Sequence, residues 1–221
     1  MKNIANMDLS VDLRVRTAVE QAMEIYLNRL NTGLISLGLE DAFKMHLAGI
    51  ISDLLNITTY YTDERFIIHF EKNMPINGNN DYVDIVINYN RGEHIEQYLI
   101  ELKFKKISDC VPDLGNVESY IDIYNLDMHK NNTPNVKGCF FVFLTDLQTY
   151  TKASTRGTRK ELPMEDGYTI CKGKRYVVSG ETAKKNTRKF PKGFVFYNNH
   201  KIEYRKFNIK EKPYWYYILQ I

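Results

Sequence analysis

The segment Leu99 to Phe104 reads LIELKF and constrains the fold more than any other stretch of the chain. Side chains alternate across a strand. Glu101 and Lys103 therefore project to one side, and Ile100, Leu102 and Phe104 to the other. A second β-prone run, Asp81 to Tyr89 (DYVDIVINY), carries Asp84 17 residues before Glu101, on the strand a hairpin would lay beside it. Both charged positions are embedded among Ile85, Val86, Ile87, Leu99, Ile100, Leu102 and Phe104. Charges in such surroundings need partners or a metal. Two carboxylates brought together repel without a cation, and Mg²⁺ resolves that repulsion. The plainer alternative is a surface strand with a cross-strand charge pair.

The flanking patterns place this pair of strands in an order. Asp12 to Leu30 reads as an amphipathic helix with Ser10 as its N-cap. A second helix runs from Leu39 to Leu55, with Phe43, Leu47, Ile50 and Leu54 as its core stripe. Tyr60 to Glu71 is a strand, the NGNN cluster at Asn77 to Asn80 a loop, Asp81 to Tyr89 a strand and Glu96 to Lys105 a third. Asn116 to His129 is a helix, and Gly138 to Asp146 (GCFFVFLTD) a central strand. The order is helix, strand, strand, strand, helix, strand. After Tyr150, short strands are expected at Tyr168 to Cys171, Arg175 to Val178, Phe194 to Tyr197, Ile202 to Phe207 and Tyr214 to Leu219. Residues 1–150 thus form a mixed α/β core with an N-terminal helix, and residues 151–221 a basic, β-rich elaboration of the same domain.

Charge divides along the same line. Residues 151–221 hold 17 basic and 6 acidic side chains, a net of +11, whereas residues 1–150 carry a net of −8. An acidic body with a basic end is the footprint of a protein that meets a polyanion. Lys105, Arg156, Arg159, Lys160, Lys172, Lys174, Arg175, Lys184, Lys185, Arg188 and Lys189 are the candidate phosphate contacts. A lysine-rich solvated surface is the plain alternative. The interleaved aromatics could stack on bases, but runs such as FVFY and YWYYILQI point to strand packing for most. No apolar run approaches the roughly 18 to 20 residues of a membrane helix, and Met1 to Arg16 contains no apolar signal core. Cys110, Cys139 and Cys171 are too few and too dispersed for a disulfide framework or a thiolate zinc site, and read as buried free thiols in a cytoplasmic protein.

Asp84 with Glu101 and Lys103, in this element order, resembles the PD-(D/E)xK nuclease superfamily, over about residues 39 to 146. The resemblance implies a restriction-endonuclease-like αβββαβ core, a central mixed sheet flanked by helices. It implies a Mg²⁺-dependent endonuclease hydrolysing phosphodiester bonds in DNA, as a restriction, defence or mobile-element enzyme, with Mn²⁺ able to substitute. Asp84, Glu101 and the Leu102 carbonyl would ligate the metal. Glu40, at the start of the second helix and on one face with Phe43 and Leu47, resembles the extra acid that many members carry there. It would assist through a second metal or a bound water. Lys103 would position the attacking water and stabilise charge on phosphorus, leaving a 5′-phosphate and a 3′-hydroxyl. No proline precedes Asp84, where Val83 stands, and the helix after the third strand lacks the glutamine or lysine that some branches carry near its start.

Each assignment has a rival. Asp81 competes with Asp84, but lies three residues away, on the opposite strand face and beside the turn. Glu40 could simply be a first-turn acid favoured by the helix dipole. Asp63, Glu64 and Glu71 on the first strand are not singled out by position, and His46 and His69 read as structural. The same fold without catalysis would be a nucleic-acid-binding or assembly protein. Cutting both strands of a duplex would favour a homodimer by two-fold symmetry.

Overall fold

In a computed structural model, residues 9–76, 78, 80–109, 112–178 and 193–221 are described. Among them the core elements follow the order read from the sequence, with bounds shifted by a few residues. Helix α1 spans Val11–Thr32 and α2 Glu40–Ile57; β1 spans Glu64–Asn73, β2 Tyr82–Arg91 and β3 His94–Lys105; α3 spans Pro112–Asn132 and β4 Val136–Thr145. Ser10 caps α1 as expected, its side chain accepting from the Leu13 N–H at 3.3 Å. The chain leaves α1 through Gly33 at φ 77, the left-handed conformation that glycine adopts without steric cost. β1 begins later than its apolar pattern suggests, because Thr58 to Asp63 make the exit turn from α2. β3 begins earlier, because Gly92 at φ 58 lets a two-residue turn join Arg91 to His94.

The sheet runs β1-β2-β3-β4-β10-β9, where β9 is Arg205–Ile209 and β10 is Lys212–Gln220. β3 and β4 are parallel, as the intervening α3 permits; the other neighbours are antiparallel. The molecule is therefore mixed α/β, a central mixed sheet flanked by helices. On one face α1 and α2 cover Ile85, Ile87, Ile100, Leu102, Phe104, Phe140, Val142 and Leu144. On the other, Val117, Tyr120, Ile123 and Leu126 of α3 cover Val86, Leu99, Cys139, Phe141 and Phe143. Both faces of β4 are buried, which is why GCFFVFLTD reads as a continuous apolar run.

Residues after Tyr150 are more deeply built into the core than an appended elaboration requires. β10 pairs with β4 from Trp215↔Thr145 to Gln220↔Phe140. Four short strands, β5 (Thr169–Ile170), β6 (Arg175–Tyr176), β7 (Phe194–Val195) and β8 (His200–Lys201), form two small sheets, β5 with β8 and β6 with β7. Rings of Tyr176, Phe194 and Phe196 pack on Tyr120 of α3 with centroids 5.4, 6.1 and 5.9 Å away. The fully buried Asp127 of α3 accepts from the Tyr197 N–H and, at 2.8 Å, from Asn198 Nδ2, with His200 at 3.3 Å. Most aromatics of the basic region are thus core residues.

One expectation for the cysteines changes. Cys171 is exposed, because it follows β5 in a turn; Cys139 is buried, and burial pushes its thiol up to about 12. Cys110, Asn77, Asn79 and Gly180 lie outside the described residues. Among the described residues, no helix is long and apolar enough to cross a membrane.

Candidate functional site

The site lies where β2 and β3 part. Their ladder runs from Arg91↔His94 to Ile85↔Ile100 and ends there, one step before Asp84 would face Glu101. β1 and β2 miss a pair at the same level: Phe70 faces Ile85 and Lys72 faces Val83, with Glu71 and Asp84 unpaired between them. Val83 and Val86 both pack on the α3 side although they are three residues apart, so the alternation of β2 breaks at Asp84. The side chain of Asp84 turns into the gap, and its Oδ2 accepts the Leu102 N–H at 2.9 Å. Two residues further along the same strand edge, the Phe104 N–H is taken by Glu40 Oε2 at 2.7 Å. Two acidic side chains thus satisfy backbone donors that β2 no longer reaches.

Glu101 and Lys103 share the α3 side of β3, as alternation requires. Glu101 is 6% exposed. Burial, followed by the charges of Asp122 and Asp84, raises its carboxyl well above the ordinary range, and Lys103 only partly opposes this. The Lys103 ammonium lies 2.9 Å from Asp122 Oδ2 on α3 and 3.9 Å from Glu40 Oε1. The Asp122 contact is an ion pair, and among the described residues Oδ2 has no hydrogen-bond donor. Burial lowers the Lys103 pKa, but Asp122, Glu40 and Glu101 together outweigh it and keep the ammonium charged. Burial likewise raises Asp122, to about 6, with Asp84 and Asp81 adding to it against Lys103.

A second lysine completes the centre. Lys44 of α2, one turn after Glu40, has its Nζ 3.1 Å from Asp84 Oδ1, in contact with Glu71 and 3.6 Å from Asp41. Burial lowers its pKa too, and Glu71 and Asp84 more than compensate. Asp84, Glu101, Lys103 and Glu40 are therefore brought together, with Lys44, Glu71 and Asp122 added. Both lysines occupy carboxylate oxygens. Among the described residues, no group of three or more Asp, Glu, His and Cys side chains is spaced to hold a metal ion.

Asp122 and Lys44 were detectable in principle. Asp122 stands between Ser119 and Leu126 at the spacing of a buried helical stripe, and Lys44 follows Glu40 by four residues, so each places a charge on a core-facing position. Asp81 is tied to α3 by Asn125 (2.8 Å) and His129 (3.1 Å), further along that helix than Asp122. It lies on the α3 side because the break at Asp84 upsets simple alternation. His69 bonds Asn88 at 3.1 Å and His46 lies against the Tyr26 ring, both structural placements.

Beside Glu40 opens a cleft of about 370 Å³, lined by Glu40, Asp41, Lys105, Lys106, Glu118 and Tyr150 among others. Lys105 is held by Glu118 at 2.6 Å, and Lys106 lies 4.9 Å over the Phe104 ring. Arg156, Lys160, Lys172, Lys174 and Arg175 are exposed, while Arg159 is half-buried and donates to the Thr149 and Lys152 carbonyls. Lys184, Lys185, Arg188 and Lys189 lie outside the described residues. No protein-family model, curated protein or solved structure matches the chain.

Proposed function

We propose that the chain is a metal-dependent nuclease of restriction-endonuclease-like fold that hydrolyses phosphodiester bonds in DNA. The observation that carries this reading is the capture of the Leu102 N–H by the Asp84 carboxylate where two strands separate, beside the buried Glu101, with Lys103 on the same side of the strand as Glu101. Burial and the neighbouring charges of Asp122 and Asp84 raise the Glu101 carboxyl, and a divalent cation would offset that repulsion. The oxygen-rich donor set of Asp84, Glu101 and the Leu102 carbonyl suits Mg²⁺ or Mn²⁺. When bound, such a cation supplies Lewis-acid polarisation of the phosphate.

The protein's own groups have distinct tasks. Lys103 donates to the attacking water and to the equatorial oxygens as negative charge gathers there, and Asp122 and Glu40 hold that ammonium in place. Glu40 also anchors β3 through the Phe104 N–H. Water adds to phosphorus, the bond to the 3′ oxygen breaks and the proton balance closes through solvent, giving a 5′-phosphate and a 3′-hydroxyl. The exposed cations at 156–175 would hold the sugar–phosphate backbone.

The test is incubation of the full chain with supercoiled plasmid and with single-stranded DNA, with Mg²⁺, with Mn²⁺ and with excess EDTA. Cleavage is expected with either metal and none with EDTA. Intact DNA under both metals, alongside measurable DNA binding, would instead identify a binding or assembly protein of this fold. The lysines seated on the carboxylates are the observation that favours that second reading.

DNA binding should weaken steeply with salt, each phosphate contact contributing about 0.9 to the slope of log K against log salt. Because β10 is a strand of the central sheet, deletion from Thr151 onward would unfold the protein. The charges are better removed by substitution. Changing Lys172, Lys174 and Arg175 together to Gln should flatten the slope by up to about 3, near 1 per residue. An unchanged slope removes this segment from the interface.

A further inference from the structure

We propose that Lys44 is a resident counter-ion of the site, which a divalent cation must displace from Asp84, and that Glu71 is the seat to which it withdraws. The inference rests on the metal-dependent reading above and adds a regulatory element to it. Asp84 has two carboxylate oxygens. Oδ2 is committed to the Leu102 N–H, so Oδ1 is the oxygen left for a cation, and Lys44 Nζ is 3.1 Å from it. Lys44 is only 11% exposed and reaches Asp84 from the apolar side of α2, where its charge is poorly screened.

Glu71 is the second observation. It stands at φ 48 near the end of β1, in the left-handed region that residues other than glycine, asparagine and aspartate rarely adopt. It sits at the missing pair directly opposite Asp84, and its carboxylate contacts Lys44. An outlying backbone held at such a point motivates a functional role. Here the deviation interrupts the ladder and offers the Lys44 ammonium a carboxylate other than Asp84. An ammonium shared among Asp84, Glu71 and, at 3.6 Å, Asp41 can leave Asp84 without losing its charge partners. A cation arriving at Asp84 Oδ1 then repels Lys44 toward Glu71, so metal affinity is set by how firmly Lys44 is held on either seat.

The experiment is Mn²⁺ titration of the full chain without nucleic acid, followed by calorimetry and by loss of the free-ion paramagnetic resonance signal. Lys44→Gln removes the competing charge and should bind Mn²⁺ about tenfold more tightly than the parent. Glu71→Gln removes the nearer alternative seat, leaves Lys44 with Asp84 and the more distant Asp41, and should bind several-fold more weakly. Equal or weaker binding by a folded Lys44→Gln would overturn the proposal, since a lysine that merely positions Asp84 gives that result. Should Lys44→Gln not fold, Glu71→Gln, altered at a half-exposed side chain, decides alone, and unchanged affinity counts against the idea. Binding by the parent with neither variant shifted refutes the displacement only. Absence of Mn²⁺ binding in all three proteins refutes the metal reading itself.

Discussion

Under the proposed nuclease function, Asp84→Asn and Lys103→Met should each abolish Mg²⁺-dependent cleavage, by on the order of 10³-fold or more, while leaving DNA affinity within about threefold of the parent. The two variants act on different parts of the centre. Asn at position 84 keeps an oxygen to accept the Leu102 N–H and so preserves the strand geometry. What it loses is the negative charge that a divalent cation needs beside Glu101. Met at position 103 keeps the length and apolar stem of a lysine that is 16% exposed, but removes the ammonium lying between Asp122 and Glu40. Neither substitution touches the exposed cations expected to contact phosphate. Activity and binding should therefore separate, which a general loss of structure would not produce. Single-turnover cleavage of a labelled duplex and filter binding at matched salt provide the two readouts. Full activity in both variants would remove these residues from the chemistry.

The elements of the core could be read from the sequence because their periodicity is strong and their burial two-sided. GCFFVFLTD can bury itself only as a central strand, and the alternation of LIELKF separates Glu101 and Lys103 from Ile100, Leu102 and Phe104 as the sheet does. Less could be read where a charge sits on a helix. Alternation along strands leads to Asp84, Glu101 and Lys103, but gives no view of the side chains that reach in from α2 and α3. Lys44 and Asp122 meet those residues through tertiary packing, across 40 and 19 residues of chain respectively. The break in β2 at Asp84 was also hidden, since it arises from a missing pair on each neighbouring strand and not from glycine or proline. The C-terminal region was underestimated for a related reason. Its short strands read as an elaboration of the same domain, and KPYWYYILQ enters the central sheet between β4 and β9. Turn residues and charge mark that segment as separate, whereas only long-range pairing reveals it as core.

Glu64→Gln should destabilise the fold by about 3 to 5 kcal/mol, the range for stranding one partner of a buried ion pair. Glu64 is the first residue of β1, and its side chain is fully buried against Arg14 of α1, which is 3% exposed. Oε1 accepts from the guanidinium and Oε2 from the Tyr60 N–H at 2.8 Å. Arg14 donates further to the Thr58 carbonyl at 2.7 Å and lies 5.2 to 5.7 Å from the rings of Tyr60, Phe66 and Tyr89. Among the described residues its Nε has no hydrogen-bond partner, so Glu64 is the counter-charge on which the arrangement depends. Burial alone would raise the Glu64 carboxyl, but Arg14 and the Tyr60 N–H reverse this and hold it at about 2, below the ordinary 4.5. A depressed carboxylate contributes stability that is complete above about pH 4.5 and is lost as pH falls through about 2. The depression corresponds to roughly 3 kcal/mol, in line with the mutational range. Urea denaturation at pH 7 should show the Glu64→Gln deficit, and below pH 4 the gap between parent and variant should narrow as the parent loses what the variant already lacks. The double variant Arg14→Met with Glu64→Leu should recover much of the loss, because neither charge is then left unpaired in an apolar setting. A deficit under about 1 kcal/mol at pH 7, or a gap that widens in acid, would show that this pair does not join α1 to the sheet.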